Sequence, residues 1–424
     1  MLTLLLLLIP LLGGGVLLFT KSSSSEMPKN VALITSLIQL AVIGYFAFSF
    51  STQPGIDFGV NYGWIPELKI NFHLGIDGIS LLLLGLTGVL IPLIILSTAK
   101  HTYQKANNFY ALILLTAAAL AGVFMARDVF LFYFFFEAAL VPVYFLAAIW
   151  GGKNASKITF KMFVYTIFGS LFMLVALIFL YMKGQTANIQ ELATTAKALP
   201  EFTQGLVFWG LLVAFAIKMP IFPLHTWQPD AYTESPTAAT MLLSGLLSKM
   251  GVYGLIRILL PFSPMGTETF ATIGISLAII GLIYGSIIAI QQDNIKRLVA
   301  YSSFAHMGLM AAGVLTGSLD GIQGALLQMV AHGINAVGLF FIVKVMFDRT
   351  GSRSLSALGG ITQKAPALSI YFMVIMLGSV ALPLTNGFVG EFLLLKSVFN
   401  YNVWLGGIAG LTIILGAVYM LRLM

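Results

Sequence analysis

Residues 211–254 read LLVAFAIKMPIFPLHTWQPDAYTESPTAATMLLSGLLSKMGVYG. The stretch opens as an apolar helix that carries Lys218. Pro220 and Pro223 break the pattern, His225, Asp230 and Glu234 follow, and a second apolar helix begins at Pro236 and carries Lys249. A lysine at the centre of a bilayer costs roughly 2.5–3.5 kcal/mol on insertion scales. Two of them beside a broken helix point to use, and the rest of the chain has to supply what they act on.

Composition sets the surroundings. Of 424 residues, 59% are hydrophobic and 9% charged, against about 25% charged in a soluble domain. The fold class is therefore all-α: a polytopic membrane protein whose core is made by lipid-embedded helix packing. No polar stretch is long enough for a soluble domain. Without cysteine there are no disulfides, no Cys-ligated iron–sulfur clusters and no thiolate metal sites. The net charge of +7 implies no nucleic acid, because Lys and Arg in short loops orient membrane spans.

Hydropathy divides the chain into roughly thirteen spans of membrane-crossing length. They fall near Leu2–Thr20, Val31–Phe50, Leu74–Thr98, Asn108–Ala126, Asp128–Trp150, Ile158–Met182 and Gly205–Pro223. Further on they fall near Pro236–Leu260, Phe270–Gln291, Ile295–Leu315, Gly321–Phe347, Pro366–Phe399 and Val403–Met424. The first has no basic residue before its apolar run and Lys21 after it, the reverse of a secretory signal, and is expected to be retained. Ser22–Ser25 reads as a short polar loop and Ser51–His73 as a long one. Asp77 is placed to start the third span. The polar segment Gly184–Gln204 contains NIQELATTAKAL, which suits a short surface helix. The Pro366–Phe399 run is too long for one straight crossing and is interrupted at PLTNG, Pro383 to Gly387. With an external N-terminus, most of the 22 Lys and Arg residues fall at cytoplasmic ends, among them Lys21, Lys105, Lys161, Lys296, Arg297 and Arg353. The opposite side keeps Lys69, Arg127, Lys183, Lys197 and Arg257, as the positive-inside rule requires.

Spans four to eight and nine to thirteen can be set out as two five-helix blocks, inverted relative to each other. The fourth span of each block is broken, near Pro220 and near Pro383, and carries one ionisable residue beside the break, Lys218 or Glu391. The second span of each carries a titratable group, Glu137 or His306. Paired broken helices in inverted halves mark a transporter's midplane site. The corresponding divisions are a three-helix segment at 1–106 and repeats at 107–261 and 268–424.

An intramembrane carboxylate defaults to function, and Glu137 is expected to pair with Lys218. The attraction would keep both ionised, and breaking the pair would let either change protonation. Lys249 lies too deep in its helix to snorkel. His225 either ends a half-channel or is a loop histidine bonding nearby backbone. His306 and His332 are central in their spans and suit a relay, with helix cross-linking as the alternative. Glu391 follows the logic of Glu137. Lys344 and Lys396 lie near enough to span ends to snorkel, and Asp230 and Glu234 suit capping as well as transport. No phosphate loop, zinc-protease motif or dinucleotide fingerprint is present.

The stretches FEAALVPVYFLAAIWGG, AIKMPIFPLHTWQPDAYTESPT, SGLLSKMGVYGLIR, SSFAHMG and GFVGEFLLL resemble the antiporter-like membrane subunits of respiratory complex I over nearly the whole chain. The resemblance implies a proton-pumping subunit of an NADH:quinone oxidoreductase, with two inverted five-helix repeats and broken seventh and twelfth helices. It makes Glu137 and Lys218 the modulating pair, Lys249 the central relay lysine, His306 and His332 the axis between relay groups, and Glu391 the terminal group. A Glu at 391, where sister subunits usually have Lys, resembles the subunit M branch. The resemblance further implies a bacterial inner membrane and neighbouring antiporter-like subunits as partners. No cofactor is expected in this chain, no metal site and no direct NADH binding, with flavin and iron–sulfur clusters in partner subunits. Family members usually have a fourteenth span, which the sequence to Met424 does not show. A subunit of a multisubunit sodium/proton antiporter or of a membrane-bound hydrogenase shares much of this pattern. A purely structural subunit would lose stability but not transport when Lys218 is neutralised.

Overall fold

In lipid, every backbone N–H and C=O must find its partner within the protein, so apolar segments of this length form helices. The computed structural model describes residues 2–20, 26–50 and 58–424. Lys21 and the Ser22–Ser25 loop lie outside the described residues. The helices are α1 (Leu2–Phe19), α2 (Glu26–Ser49), α3 (Gly78–Ser97), α4 (Ala106–Met125), α5 (Val129–Trp150), α6 (Ala155–Gly184), α7 (Glu201–Lys218) and α8 (Thr237–Phe262). They continue as α9 (Pro264–Gln291), α10 (Ile295–Leu315), α11 (Leu319–Thr350), α12 (Pro366–Ser379), α13 (Phe388–Tyr401) and α14 (Val403–Leu423). Among the described residues, 12 helices are long and apolar enough to cross a membrane. α12 and α13, of 14 residues each, are two halves separated by the expected interruption. The predicted surface helix forms over Ile189–Lys197, with Asn188 capping it.

One expectation is corrected. Within the segment read as a long loop, residues 60–74 form an antiparallel hairpin of β1 (Val60–Ile65) and β2 (Ile70–Leu74), in register Val60↔Leu74 and Tyr62↔Phe72. Branched and aromatic residues in VNYGWI and INFHL favour strand, and Lys69, in the left-handed region at φ 51°, makes the turn between them.

α8 and α10 are the innermost helices, with nearly all their residues buried. Small residues allow this closeness. A methyl group at Gly251 would come within 3.0 Å of the Met219 nitrogen and the Phe215 oxygen, so α8 lies directly on the end of α7. Gly324 does the same for α11 on α13, where a Cβ would sit 2.9 Å from the Leu394 nitrogen. α8 is also not a regular helix. It widens into π-turns at Leu243–Leu247 and Leu255–Leu259, on either side of Lys249. Such turns are rare and concentrate at functional positions.

A backbone pattern recurs on opposite faces. Just before α5, Val129 N donates to Ala187 O and Ile189 N to Arg127 O, tying the α4–α5 corner to the segment after α6. Just before α10, Ile295 N donates to Arg353 O and Leu355 N to Asp293 O, tying the α9–α10 corner to the segment after α11.

On the face assigned as external, half-buried Asp77 caps α3 by accepting from Ser80 N. It also takes Arg127 at 3.2 Å and the Arg257 guanidinium from α8. Burial alone would raise the carboxyl's pKa, but Arg257, the Ser80 N–H and Arg127 outweigh it and hold it at about 2. That is below an unfolded Asp at about 3.9. Its contribution is therefore fully present above about pH 4 and is lost as the pH falls toward 2. Asp77→Asn should lower stability at pH 7 by about 2 kcal/mol. Thermal unfolding at pH 7 and pH 3 checks this: the gap between wild type and variant should narrow at the lower pH.

Candidate proton-relay site

The two helix breaks place the ionisable residues, and each break has its freed polar groups met. At the first, Trp227 Nε1 donates to Ile217 O at 3.0 Å, and Ile221 N donates to Ala216 O at 2.7 Å. At the second, Leu382 N donates to Leu377 O at 3.2 Å and Thr385 N to Leu382 O at 3.0 Å, while the side-chain amides of Asn335 on α11 and Asn386 exchange bonds of 3.3 and 3.1 Å. These partners are what let a chain stop being helical at membrane depth.

Four predicted residues come together in one line. Lys249 is fully buried. Its Nζ donates to Ser244 O, a carbonyl inside the first π-turn, and lies 2.6 Å from His332 Nδ1 on α11. The His332 and His306 rings follow, with centroids 5.7 Å apart. His306 Nδ1 then lies 4.0 Å from Glu391 Oε2 at the start of α13. All four side chains are buried. Lysine, imidazole, imidazole and carboxylate each bind and release protons, so the contact line from α8 to α13 can carry one.

The other half is arranged differently. The expected ion pair between Glu137 and Lys218 is not formed: no contact within 4.0 Å joins them, and neither Glu137 Oε1 nor Lys218 Nζ has a hydrogen bond. Lys218 Nζ lies instead 4.7 Å from the centre of the Phe136 ring. Neighbouring residues on a helix point about 100° apart, so an ammonium drawn to the ring of residue 136 is turned away from the carboxylate of 137. The two groups act on each other through their fields, with Ser170 and Tyr133 as further polar neighbours of Glu137. Between Lys218 and α8 lies a small cavity walled by Leu243, Leu247 and Ser248. The line thus runs through close approaches from Lys249 to Glu391, of which only Lys249–His332 is a hydrogen bond, with His306 Nε2 and Glu391 Oε2 unbonded, and an apolar gap lies before it.

His225 joins neither lysine by a hydrogen bond. It is buried between Phe304, with ring centroids 4.5 Å apart, and Phe222 at 5.7 Å. Lys344 pairs with Asp348 at 2.7 Å and Lys396 with Asp320 at 2.9 Å, away from the line. Asp230 pairs with Arg297 at 3.0 Å and with Lys161 at 3.8 Å, fixing the segment between the break and α8.

Sequence reasoning missed Lys296. It was counted among the basic residues at a cytoplasmic end, yet it is 1% exposed and bonds the Thr233 and Ser235 carbonyls. The available signal was its position as the second residue of an apolar helix.

Residues 126–416 match the family described as NADH:quinone oxidoreductase/Mrp antiporter, TM. The chain is 38% identical over 413 residues to NADH-quinone oxidoreductase subunit M of Rickettsia conorii, covering 96% of this chain and 84% of the relative. Among solved structures it resembles a chain of respiratory complex I from Thermus thermophilus with bound NADH, at TM-score 0.91 and 30% identity, over 100% of this chain and 88% of that one. It shares a fold with a chain of the Mrp complex from Dietzia, at TM-score 0.87 and 21% identity, over 99% of this chain and 46% of that one. The sequence match and the shared fold agree, and the chain belongs to the NADH:quinone oxidoreductase/Mrp antiporter transmembrane family, in its subunit M branch.

Proposed function

We propose that this chain moves protons along Lys249, His332, His306 and Glu391 as the antiporter-like membrane subunit of an NADH:quinone oxidoreductase. The observation that carries the reading is the chain of close approaches from Lys249 to Glu391 inside a lipid-embedded bundle. The subunit is a multi-pass protein of the bacterial inner membrane. It works beside other membrane subunits, including neighbouring antiporter-like ones, while flavin and iron–sulfur clusters sit in partners and none in this chain. Its contribution to the enzyme is translocation. Moving one charge against the membrane potential costs about 2.3 kcal/mol per 100 mV, so distant redox chemistry must supply the energy.

Glu137 and Lys218 form the modulating end of this reading. Their separation suits it: without direct contact, a change of charge on either alters the field on the other across the bundle. The recurring corner hydrogen bonds support treating 107–261 and 268–424 as inverted repeats around a three-helix segment at 1–106. Glu137→Gln in the assembled complex should cut redox-driven proton uptake by inverted vesicles about tenfold. Unchanged uptake at unchanged NADH oxidation would remove Glu137 from the mechanism. The family also spans Mrp antiporters; co-purification with small antiporter subunits carrying no redox centre would favour that reading over the first.

A further inference from the structure

The relay reading leaves Lys249 without a source of protons, and the structure holds a buried polar column that ends on it. We propose that Lys296 is the proton-loading residue for Lys249, fed from the cytoplasmic face and emptying along a row of hydroxyls on α8. The proposal rests on the relay reading above and adds to it an uptake residue and a route.

The column starts at a surface pocket lined by Gly151, Gly152, Thr233, Glu234, Ser235 and Arg353. Lys296 reaches two of these residues from below, with Nζ donating to Thr233 O at 3.1 Å and to Ser235 O. An ammonium has three donors, and the two carbonyls account for two. Among the described residues no carboxylate lies within ion-pair distance of it; the nearest charged groups from other elements are Arg353 and Glu234, with Arg297 adjacent on α10. Thr240 Oγ1 donates to Tyr232 O at 2.8 Å and also approaches Ser235 O, at 3.5 Å. From there the hydroxyls descend α8 one turn at a time. Ser244 Oγ donates to Thr240 O at 2.9 Å, and Ser248 Oγ donates to Ser244 O at 3.0 Å. Ser244 O is the carbonyl that Lys249 Nζ holds. Thr240, Ser244 and Ser248 are all buried. Three buried hydroxyls spaced by four residues along α8, running between two buried lysines, form a polar route through the cytoplasmic half of the bundle.

The step balances as a proton transfer. The Lys296 ammonium releases one proton and becomes an amine. Each hydroxyl, with a water bridging each turn of about 6 Å, accepts a proton on one side and releases its own on the other. The Lys249 amine takes the last proton and becomes an ammonium, and Lys296 is reloaded from the pocket. One positive charge has moved from position 296 to position 249, and no bond to carbon changes.

The competing role for Lys296 is that of a clamp on the carbonyls that end the helix Gln228–Glu234, where a cation is favourable. Lys296→Arg separates the two, because arginine keeps the donors and the charge but does not release its proton. In the assembled complex, the proposal expects Lys296→Arg to assemble and to lower redox-driven proton uptake about tenfold. It further expects the remaining uptake to depend less on pH than that of the wild type. Wild-type uptake and pH profile in Lys296→Arg would overturn it. Should Lys296→Arg fail to assemble, Thr240→Val decides: the route requires at least about a threefold loss, and unchanged uptake overturns it. Lys249→Met in the same vesicles keeps the two readings apart. If that variant stops uptake while Lys296→Arg does not, only the loading role fails. If Lys249→Met itself pumps normally, the relay reading fails.

Discussion

Lys249→Met is expected to lower redox-linked proton movement by at least about tenfold while leaving the assembled subunit as stable as the wild type, or more so. The two halves of this result follow from one fact. Lys249 is fully buried, and among the described residues no carboxylate lies within 4.0 Å of its ammonium; it touches a carbonyl and an imidazole nitrogen. A buried ion without a counter-ion costs several kcal/mol in desolvation. Replacing such a group with an apolar side chain of similar volume is often neutral or stabilising by about 1–4 kcal/mol. Methionine fits the same space, and Ser244 O keeps the Ser248 hydroxyl as a donor at 3.0 Å when the lysine is gone. The residue therefore opposes folding and is expected to be needed only for transport. Thermal unfolding of the purified complex and proton uptake by inverted vesicles give the two readouts. A variant that loses stability in step with uptake would make Lys249 a structural cross-link between α8 and α11.

Most of this site was legible because lipid hides little. In a chain that is 9% charged, a polar residue inside an apolar span is conspicuous, and Lys218, Lys249, His306, His332 and Glu391 were all found that way. The breaks at 219–236 and 380–387 were legible from Pro and Gly. The pairing of Glu137 with Lys218 was not, because sequence gives the span a residue occupies and not the direction its side chain takes. One helical position, Phe136 in place of Glu137, decides where that ammonium rests. Lys296 escaped for a related reason. A basic residue at a span's end is ordinarily an exposed orienting charge. Only the fold shows that the Gln228–Glu234 helix and the α10 start close over it. The serines and threonine of α8 were equally silent in sequence, since hydroxyls in membrane helices commonly bond the preceding turn and carry no mark of a route. The hairpin over residues 60–74 was not read, because its strands of 6 and 5 residues lie in a segment rich in Gly, Pro and aromatics that reads as loop.

Glu391→Gln is expected to reduce proton movement as strongly as Lys249→Met, by about tenfold, and the double variant is expected to be no worse than either alone. Glutamine keeps the size of the side chain and can still bond its neighbours, but it cannot take up and release a proton. Glu391 lies at the far end of the line, 4.0 Å from His306 and without a hydrogen bond of its own on Oε2. On Oε2 the substitution therefore breaks no hydrogen bond, and a large loss of stability is not expected. The non-additivity is the sharper test. Independent contributions at separated sites would multiply, so two tenfold losses would give about a hundredfold. Groups in series behave otherwise, because once one link cannot pass the proton the state of the next no longer matters. Lys249 and Glu391 are on different helices with two histidines between them, too far apart for direct contact to explain coupling. Uptake measured in vesicles carrying each single variant and the pair decides it. A multiplicative loss would mean that Lys249 and Glu391 serve separate paths, and that the close approach of His332 and His306 between them carries no proton.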